Sequence, residues 1–203
     1  MRMLLMGPPG AGKGTQAVRL SAMLSVPQIS TGDIFRANVS EGTELGKTAQ
    51  SYMDAGEYVP DEVTNAMVRD RLNQDDARRG FLLDGYPRTL DQVRTLDDIL
   101  AEQHGELDAV LELSVDSEEL IGRLLKRAQE SGRADDTEDV IRHRQEVYVE
   151  QTAPLVATYE QRGLLVRVDG MGDVDEVGVR ITAALAERGI TAPSETAVSD
   201  EGA

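Results

Sequence analysis

The sequence of this 203-residue chain predicts a three-layer α/β fold with a parallel sheet, on three observations. Short apolar runs alternate with longer amphipathic stretches along nearly the whole chain, the order expected when helices cover a sheet. Several of the runs lack polar alternation, as a parallel sheet buried on both faces requires. A glycine-rich turn joins the first run directly to the first amphipathic stretch.

The strand-like runs are Met3 to Met6, Gln28 to Ser30, Phe81 to Leu83, Ala109 to Leu113 and Leu164 to Val168. Gly7 to Thr15 follows the first run and opens a helix carrying Val18, Leu20, Met23 and Leu24. Residues 32 to 72 are helical in pattern, with turn signals at Glu41-Gly42, Ala55-Gly56 and Val59-Pro60-Asp61, and read as an excursion from the sheet. Another helix begins near Ser117 and carries Arg123 and Arg127 towards its end. There the expected partners of Arg123 are the helix dipole and solvent. Residues 129 to 137 are polar, contain a glycine, and read as an exposed loop. The clearest helical pattern runs from about Thr137 to Gln161, with Ile141, Tyr148, Thr152, Leu155 and Tyr159 on one face. The domain is expected to span residues 1 to 188. From Gly189 to Ala203 the chain is small, polar and acidic, and is expected to be a disordered tail.

Composition removes several classes of function. The chain has no cysteine, which excludes a disulfide scaffold and a Cys-ligated zinc site, and only two histidines, His104 and His143. Twenty-one basic against 37 acidic residues give a net charge of -16, which repels duplex nucleic acid. No apolar run approaches the roughly 18 residues of a membrane span. Gly7-Pro8-Pro9-Gly10 interrupts the apolar start too early for a secretory signal. A soluble cytoplasmic protein is expected, without membrane or nucleic-acid partners. The acidic pairs Asp75-Asp76 and Asp97-Asp98 read as solvated surface charge, and Asp135-Asp136, beside Arg133, reads as a pair that brackets arginines.

Gly7-Pro8-Pro9-Gly10-Ala11-Gly12-Lys13-Gly14-Thr15, between a strand and a helix, has the context of a phosphate-binding loop. Glycines let successive backbone N–H groups turn inward on an anion, and the helix N-terminus adds its positive end. Lys13 is placed to reach the β- and γ-phosphates, with the Thr15 hydroxyl near a magnesium position. Only Lys13, Lys47 and Lys126 are lysines, and the other basic side chains are all arginine, the residue that grips phosphate bidentately. Asp84 ends an apolar strand, where a carboxylate holds a magnesium-bound water or simply caps a turn.

The threonine stands one position later than in the general loop pattern, after Gly14. In that form the loop resembles the adenylate kinase family of nucleoside monophosphate kinases. Pro27 to Arg36, Gly80 to Arg88 and Gly132 to Asp136 resemble further signatures of that family, in its order, so the likeness covers about residues 1 to 188. It implies a P-loop fold with a five-stranded parallel sheet, a helical monophosphate-binding insertion at about 30 to 59 and a short lid at about 127 to 137.

The resemblance also implies site residues. Gly10, Ala11, Gly12, Lys13, Gly14, Thr15, Arg127 and Gly172 would serve ATP, with Arg127 stacked on its adenine. Thr31, Arg36, Gly85, Tyr86, Pro87, Arg88 and Gln92 would line the AMP site, with Arg36 and Arg88 on the phosphate and Gln92 on the adenine edge. Glu57, Tyr58 and Val59 would contribute mainly through backbone, and Asp33 would brace the loops. Arg133 and Arg144 would join Lys13 and Arg88 in catalysis and also contact AMP. By periodicity Arg144 stands roughly 60° from the centre of its helix's apolar stripe, where a charge is either salt-bridged or ligand-bound. Arg142 lies farther round, with a role near the site implied by the family likeness, and His143 reads as a solvated helix residue. Magnesium would bind with ATP near Thr15 and Asp84, and no zinc is expected.

These features predict a monomeric enzyme converting MgATP and AMP reversibly into two ADP. A pyrimidine (UMP/CMP) monophosphate kinase is the alternative within the class, and a non-catalytic nucleotide-sensing module is the alternative outside it. A GTPase is disfavoured because the Asn-Lys-x-Asp guanine motif is absent.

Overall fold

A computed structural model describes residues 1–103, 105–131 and 137–193. His104, Gly132, Arg133, the Asp135-Asp136 pair and residues 194–203 of the expected tail lie outside the described residues. Strand β1 (Arg2–Met6) runs through the phosphate-loop segment into helix α1 (Lys13–Leu24) and returns as β2 (Gln28–Ser30). Three helices follow: α2 (Thr31–Glu41), α3 (Glu44–Ala55) and α4 (Asp61–Leu72). They break where Gly42, Gly56 and Pro60 stand, at the turn signals read from the sequence. A short α5 (Asp75–Arg78) precedes β3 (Phe81–Asp84), and α6 (Leu90–Glu102) leads to β4 (Ala109–Ser114). Helices α7 (Ser117–Ser131), α8 (Glu138–Val147) and α9 (Ala153–Gln161) come next, then β5 (Leu165–Asp169) and α10 (Val174–Ala186).

The five strands form one all-parallel sheet in the order β2-β3-β1-β4-β5. Residues of β1 alternate between two cores, as the pleat dictates. Leu4 and Met6 pack towards α4, α6 and α9 with Val68, Leu96 and Tyr159. Met3 and Leu5 pack towards α1, α7 and α10 with Ala17, Leu120 and Ile181. Both faces are apolar, which is why these strands show no polar alternation. Phe35, Ala49 and Val59 centre a third, small core within the helical excursion. With β1 in the middle of the sheet, the chain winds one way to β2 and β3 and the other way to β4 and β5. The crevice beyond the carboxyl ends of β1 and its neighbours is therefore where an open α/β sheet binds ligands.

Three expectations are corrected. Residues 129 to 131 belong to α7 rather than to a loop. Lys126 to Glu130 are mostly strong helix formers, and their polarity alone makes the end of the helix look like a loop. The helix from Thr137 is not uniform, because residues Tyr148–Thr152 form a π-helical turn. Pro154 opens the helix beyond it and has no N–H for the Glu150 carbonyl, so the backbone widens just before it. The fold also extends past residue 188. The N–H groups of Gly189 and Ile190 bond the carbonyls of Ala186 and Leu185, closing α10 with a Schellman turn, and Ile190 is buried against the second core. Of the acidic pairs, Asp76 and Asp97 are each gripped by both arms of an arginine, Arg71 and Arg162.

Candidate active site

The loop after β1 is built as its glycines suggest. Gly10 and Gly12 take left-handed φ values of 88° and 85°, which a side chain would oppose. Helix α1 opens with no side chain capping it, so its first N–H groups are left for an anion. Lys13 folds back over the loop, and its Nζ donates to the carbonyls of Gly7 (2.6 Å) and Pro8 (3.0 Å). Burial pushes the Lys13 ammonium down to about 8; the carboxylate of Asp84 opposes this, and the guanidiniums of Arg88, Arg144 and Arg127 add to it. Asp84, at the end of β3 and level with Leu5, is raised chiefly by burial, against the pull of Lys13 and Arg88. Cations far apart in sequence therefore converge on one buried carboxylate.

Two cavities meet there. The larger cleft runs over the loop and is lined by Gly10, Ala11, Gly12, Lys13, Gly14, Thr15, Arg127 and Gly172, together with Asp84. The smaller, with about 970 Å³ of open space, is lined by Thr31, Arg36, Glu57, Tyr58, Val59, Gly85, Tyr86, Pro87, Arg88, Gln92 and Arg144. Lys13, Arg36, Arg88 and Arg144 line both and so stand at the seam. Every site residue expected from the sequence lines one cavity or the other, except Arg133, which lies outside the described residues.

The second cavity is braced from several elements. Gly85 has φ +81° and approaches Thr31 so closely that a Cβ would stand 2.8 Å from its hydroxyl. The Thr31 hydroxyl donates to the Gly85 carbonyl at 2.9 Å, so only its lone pairs remain for a ligand. Arg88 donates through Nε to the same carbonyl, and its guanidinium lies 4.7 Å from the Tyr58 ring centroid in a cation–π contact. Thr152, on the π-helical turn, donates to the Arg88 carbonyl (2.9 Å) and therefore accepts from the Tyr58 hydroxyl (2.8 Å). Asp33 pairs with Arg36 one turn along the same helix, α2.

Sequence reasoning missed four contacts. Tyr58, expected to contribute mainly through backbone, places its ring against Arg88. Arg123 is not simply solvated: it bonds the Gly170 carbonyl at 3.1 Å and lines the larger cleft. Its spacing of four from Arg127, on one helix face, was the available signal. Gln145 ties α8 to the phosphate loop through the Pro9 carbonyl (2.8 Å). His143 bridges Glu57 at 2.6 Å and Glu146 at 3.5 Å, and the Glu57 bond raises its pKa. Arg142 pairs with Glu138 at the surface and lines neither cavity.

A glycine loop opening a helix, a buried lysine and arginines at the seam of two cavities define a P-loop nucleotide phosphotransferase. The family profile described as Adenylate kinase matches residues 5–164. The chain belongs to the adenylate kinase family, and it is a transferase that moves a phosphoryl group between ATP and AMP. It is 65% identical to the adenylate kinase of Kocuria rhizophila over 184 residues, 91% of this chain and 98% of that one. It is 63% identical to that of Thermobifida fusca over 188 residues, 93% of this chain and 100% of the relative. The pyrimidine monophosphate kinase and nucleotide-sensing alternatives receive no support from these matches. Among the described residues no helix is long and apolar enough to cross a membrane.

Proposed function

We propose that the larger cleft takes ATP, the smaller cavity takes AMP, and the four cations at their seam carry the transferred phosphoryl group. The observation behind this reading is that Lys13, Arg36, Arg88 and Arg144 line both cavities at once. The attacking oxygen belongs to the AMP phosphate, which is already largely ionised at neutral pH, so no general base is needed. The protein must hold two mutually repelling polyanions in line and neutralise the charge that spreads between them. Lys13 leaves its loop carbonyls for the β- and γ-phosphate oxygens. Arg36 and Arg88 grip AMP, Arg88 held in place by Tyr58 and Gly85. Arg144 spans both nucleotides, and Arg127 lies along the ATP base. Residues 30 to 59 act as the monophosphate-binding insertion, and residues 127 to 137, with Arg133, act as a lid that keeps water from the γ-phosphate.

Magnesium fits the ATP side. Thr15 and Asp84 both line the larger cleft and offer the hard oxygen donors that ion takes. Among the described residues no group of three or more His, Asp or Glu could hold a metal by itself, so ATP phosphates and waters would supply the remaining ligands. Bound there, magnesium neutralises charge on the β- and γ-phosphates. No zinc is proposed, since the chain has no cysteine.

Steady-state ADP formation by Arg36→Lys tests the assignment of the cavities. Losing the planar fork is expected to raise KM for AMP about tenfold, with KM for ATP within about twofold. A change confined to ATP would reverse the assignment.

A further inference from the structure

Gln92, buried in the wall of the smaller cavity, does not stand alone. Its Oε1 accepts the Arg88 backbone N–H at 2.7 Å, and its Nε2 donates to Asp61 Oδ1 at 2.6 Å. The other oxygen of Asp61 accepts from the Thr89 hydroxyl at 2.5 Å, and that hydroxyl caps α6 by accepting the Gln92 N–H at 3.2 Å. Asp61 is the first residue of α4, directly after Pro60, where the helical excursion returns to the body of the protein. One carboxylate thus fixes both the backbone and the amide of Gln92 from another element.

A glutamine amide has two N–H donors and two acceptor lone pairs. Asp61 takes one donor and Arg88 takes one lone pair, leaving one of each. Neither neighbour tolerates the reversed amide: the N–H of Arg88 would meet an NH2 group, and the carboxylate would meet an oxygen. The end of the amide that donates is therefore fixed before any ligand arrives. Adenine offers a 6-amino donor beside ring-nitrogen acceptors, whereas guanine offers a 6-oxo acceptor beside a ring N–H donor. A fixed donor and acceptor match one of these patterns and oppose the other.

The geometry points to Asp61 as a positioning residue for base selection: it holds the Gln92 amide in the orientation that suits a 6-aminopurine and rejects a 6-oxopurine. This rests on the smaller cavity being the AMP site. Charge alone argues the other way, because a carboxylate behind the wall of a cavity that takes a dianion repels it. If Asp61 acted only through its charge, removing it would tighten AMP binding.

The test is steady-state kinetics on the full chain with AMP and GMP at saturating ATP, for Asp61→Ala, Asp61→Asn, Gln92→Ala and the Asp61→Ala/Gln92→Ala pair. Asp61→Ala is expected to raise KM for AMP about tenfold, the order lost when a buried hydrogen-bond partner is removed. Its kcat and KM for ATP should stay within about twofold, and the AMP-to-GMP ratio of kcat/KM should fall about tenfold, mainly through AMP. Asp61→Asn keeps an acceptor for Nε2 and should stay close to the parent. The double variant should be no worse for AMP than Gln92→Ala, because Asp61 acts through that side chain. An unchanged or lower KM for AMP in Asp61→Ala, or losses that multiply in the double variant, would overturn the assignment of Asp61 and leave the AMP cavity standing. A Gln92→Ala protein with unchanged AMP kinetics would overturn the role of Gln92 at that cavity and the role of Asp61 with it. If Asp61→Ala does not fold, Asp61→Glu keeps the charge but displaces the acceptor. It should raise KM for AMP in the same way, and an unchanged value there overturns the proposal.

Discussion

Lys13 and Asp84 carry opposite charges, yet burial outweighs their attraction at both. The ammonium is driven from an ordinary 10.5 to about 8, and the carboxyl is driven up. At 1.36 kcal/mol per pH unit, the fall at Lys13 corresponds to about 3 kcal/mol of cost in the folded state. That is an upper bound, because part of the side chain meets the solvent-filled cleft. Replacing Lys13 alone would leave Asp84 buried without its main counter-charge, so the two changes belong together. Lys13→Met with Asp84→Asn removes both penalties. It also removes the lysine bonds to Gly7 and Pro8, worth about 1 kcal/mol each. Neutralising two buried, coupled charges together leaves neither one uncompensated by the other, and a net gain of about 1–3 kcal/mol is expected here. In a chain of this size each kcal/mol moves Tm by about 2–4 °C.

Turnover should meanwhile fall by orders of magnitude, since the ammonium over the β- and γ-phosphates is gone. The assays are nucleotide-free thermal unfolding at pH 7 and ADP formation. The pH dependence has a definite sign. Below pH 8 Lys13 is protonated in both states and the full cost is present. Between about 8 and 10.5 the folded protein releases the proton while the unfolded chain keeps it, so the stability of the parent rises with pH. The advantage of the double variant should therefore narrow over that window. A double variant that melts at or below the parent at pH 7 would refute the reasoning.

Tyr58→Leu removes the platform under Arg88 and should raise KM for AMP about three- to fivefold in steady-state assays, while Tyr58→Phe keeps most of the effect of the ring. His143 has a pKa raised above 6.5 by Glu57, so its bridge is fully present below pH 6.5 and is lost as pH rises through the raised value. Melting curves should then show His143→Gln less stable than the parent at pH 6 and equal to it at pH 9. Truncation after Gly189 exposes the site filled by Ile190 and should cost about 1.5–3 kcal/mol in urea unfolding, whereas truncation after Pro193 should cost almost nothing.

Much of this molecule is legible in its sequence because its chemistry is local. The five strands show as apolar runs, since both faces of the sheet are covered. The phosphate loop is one contiguous segment, and Arg36, Arg88 and Arg144 stand within or beside recognisable motifs. What the sequence conceals joins distant positions. Thr152 meets Tyr58 across 94 residues of sequence, and no periodicity in either segment announces the contact. Thr152 is legible only as part of an apolar stripe, because a π-helical turn looks like ordinary helix in a residue pattern. Arg123 reads as solvated when α7 is expected to end near it, and the helix in fact continues to Ser131. Ile190 is lost in a stretch of small polar residues, although Gly189 before it is the residue that ends a helix and turns the next side chain inward.

The chain carries a net charge of -16, yet Lys13, Arg36, Arg88 and Arg144 gather at the seam between its cavities, and the first three act on the buried carboxylate of Asp84. In the proposed reading this local inversion serves catalysis, and it comes at a cost in stability. Burial lowers the Lys13 ammonium and raises the Asp84 carboxyl, so holding both charges there carries a cost. Two phosphate chains supply the missing negative charge on the lysine and arginine side. Substrate binding therefore relieves a cost that folding imposes, and it does so most where charge accumulates during transfer. Donors that are already oriented need little reorganisation when the transition state forms, which is the condition under which electrostatic stabilisation is largest. In the proposed reading, the side chains that hold these cations, Tyr58 under Arg88 and Asp33 beside Arg36, would therefore serve transfer together with the cations.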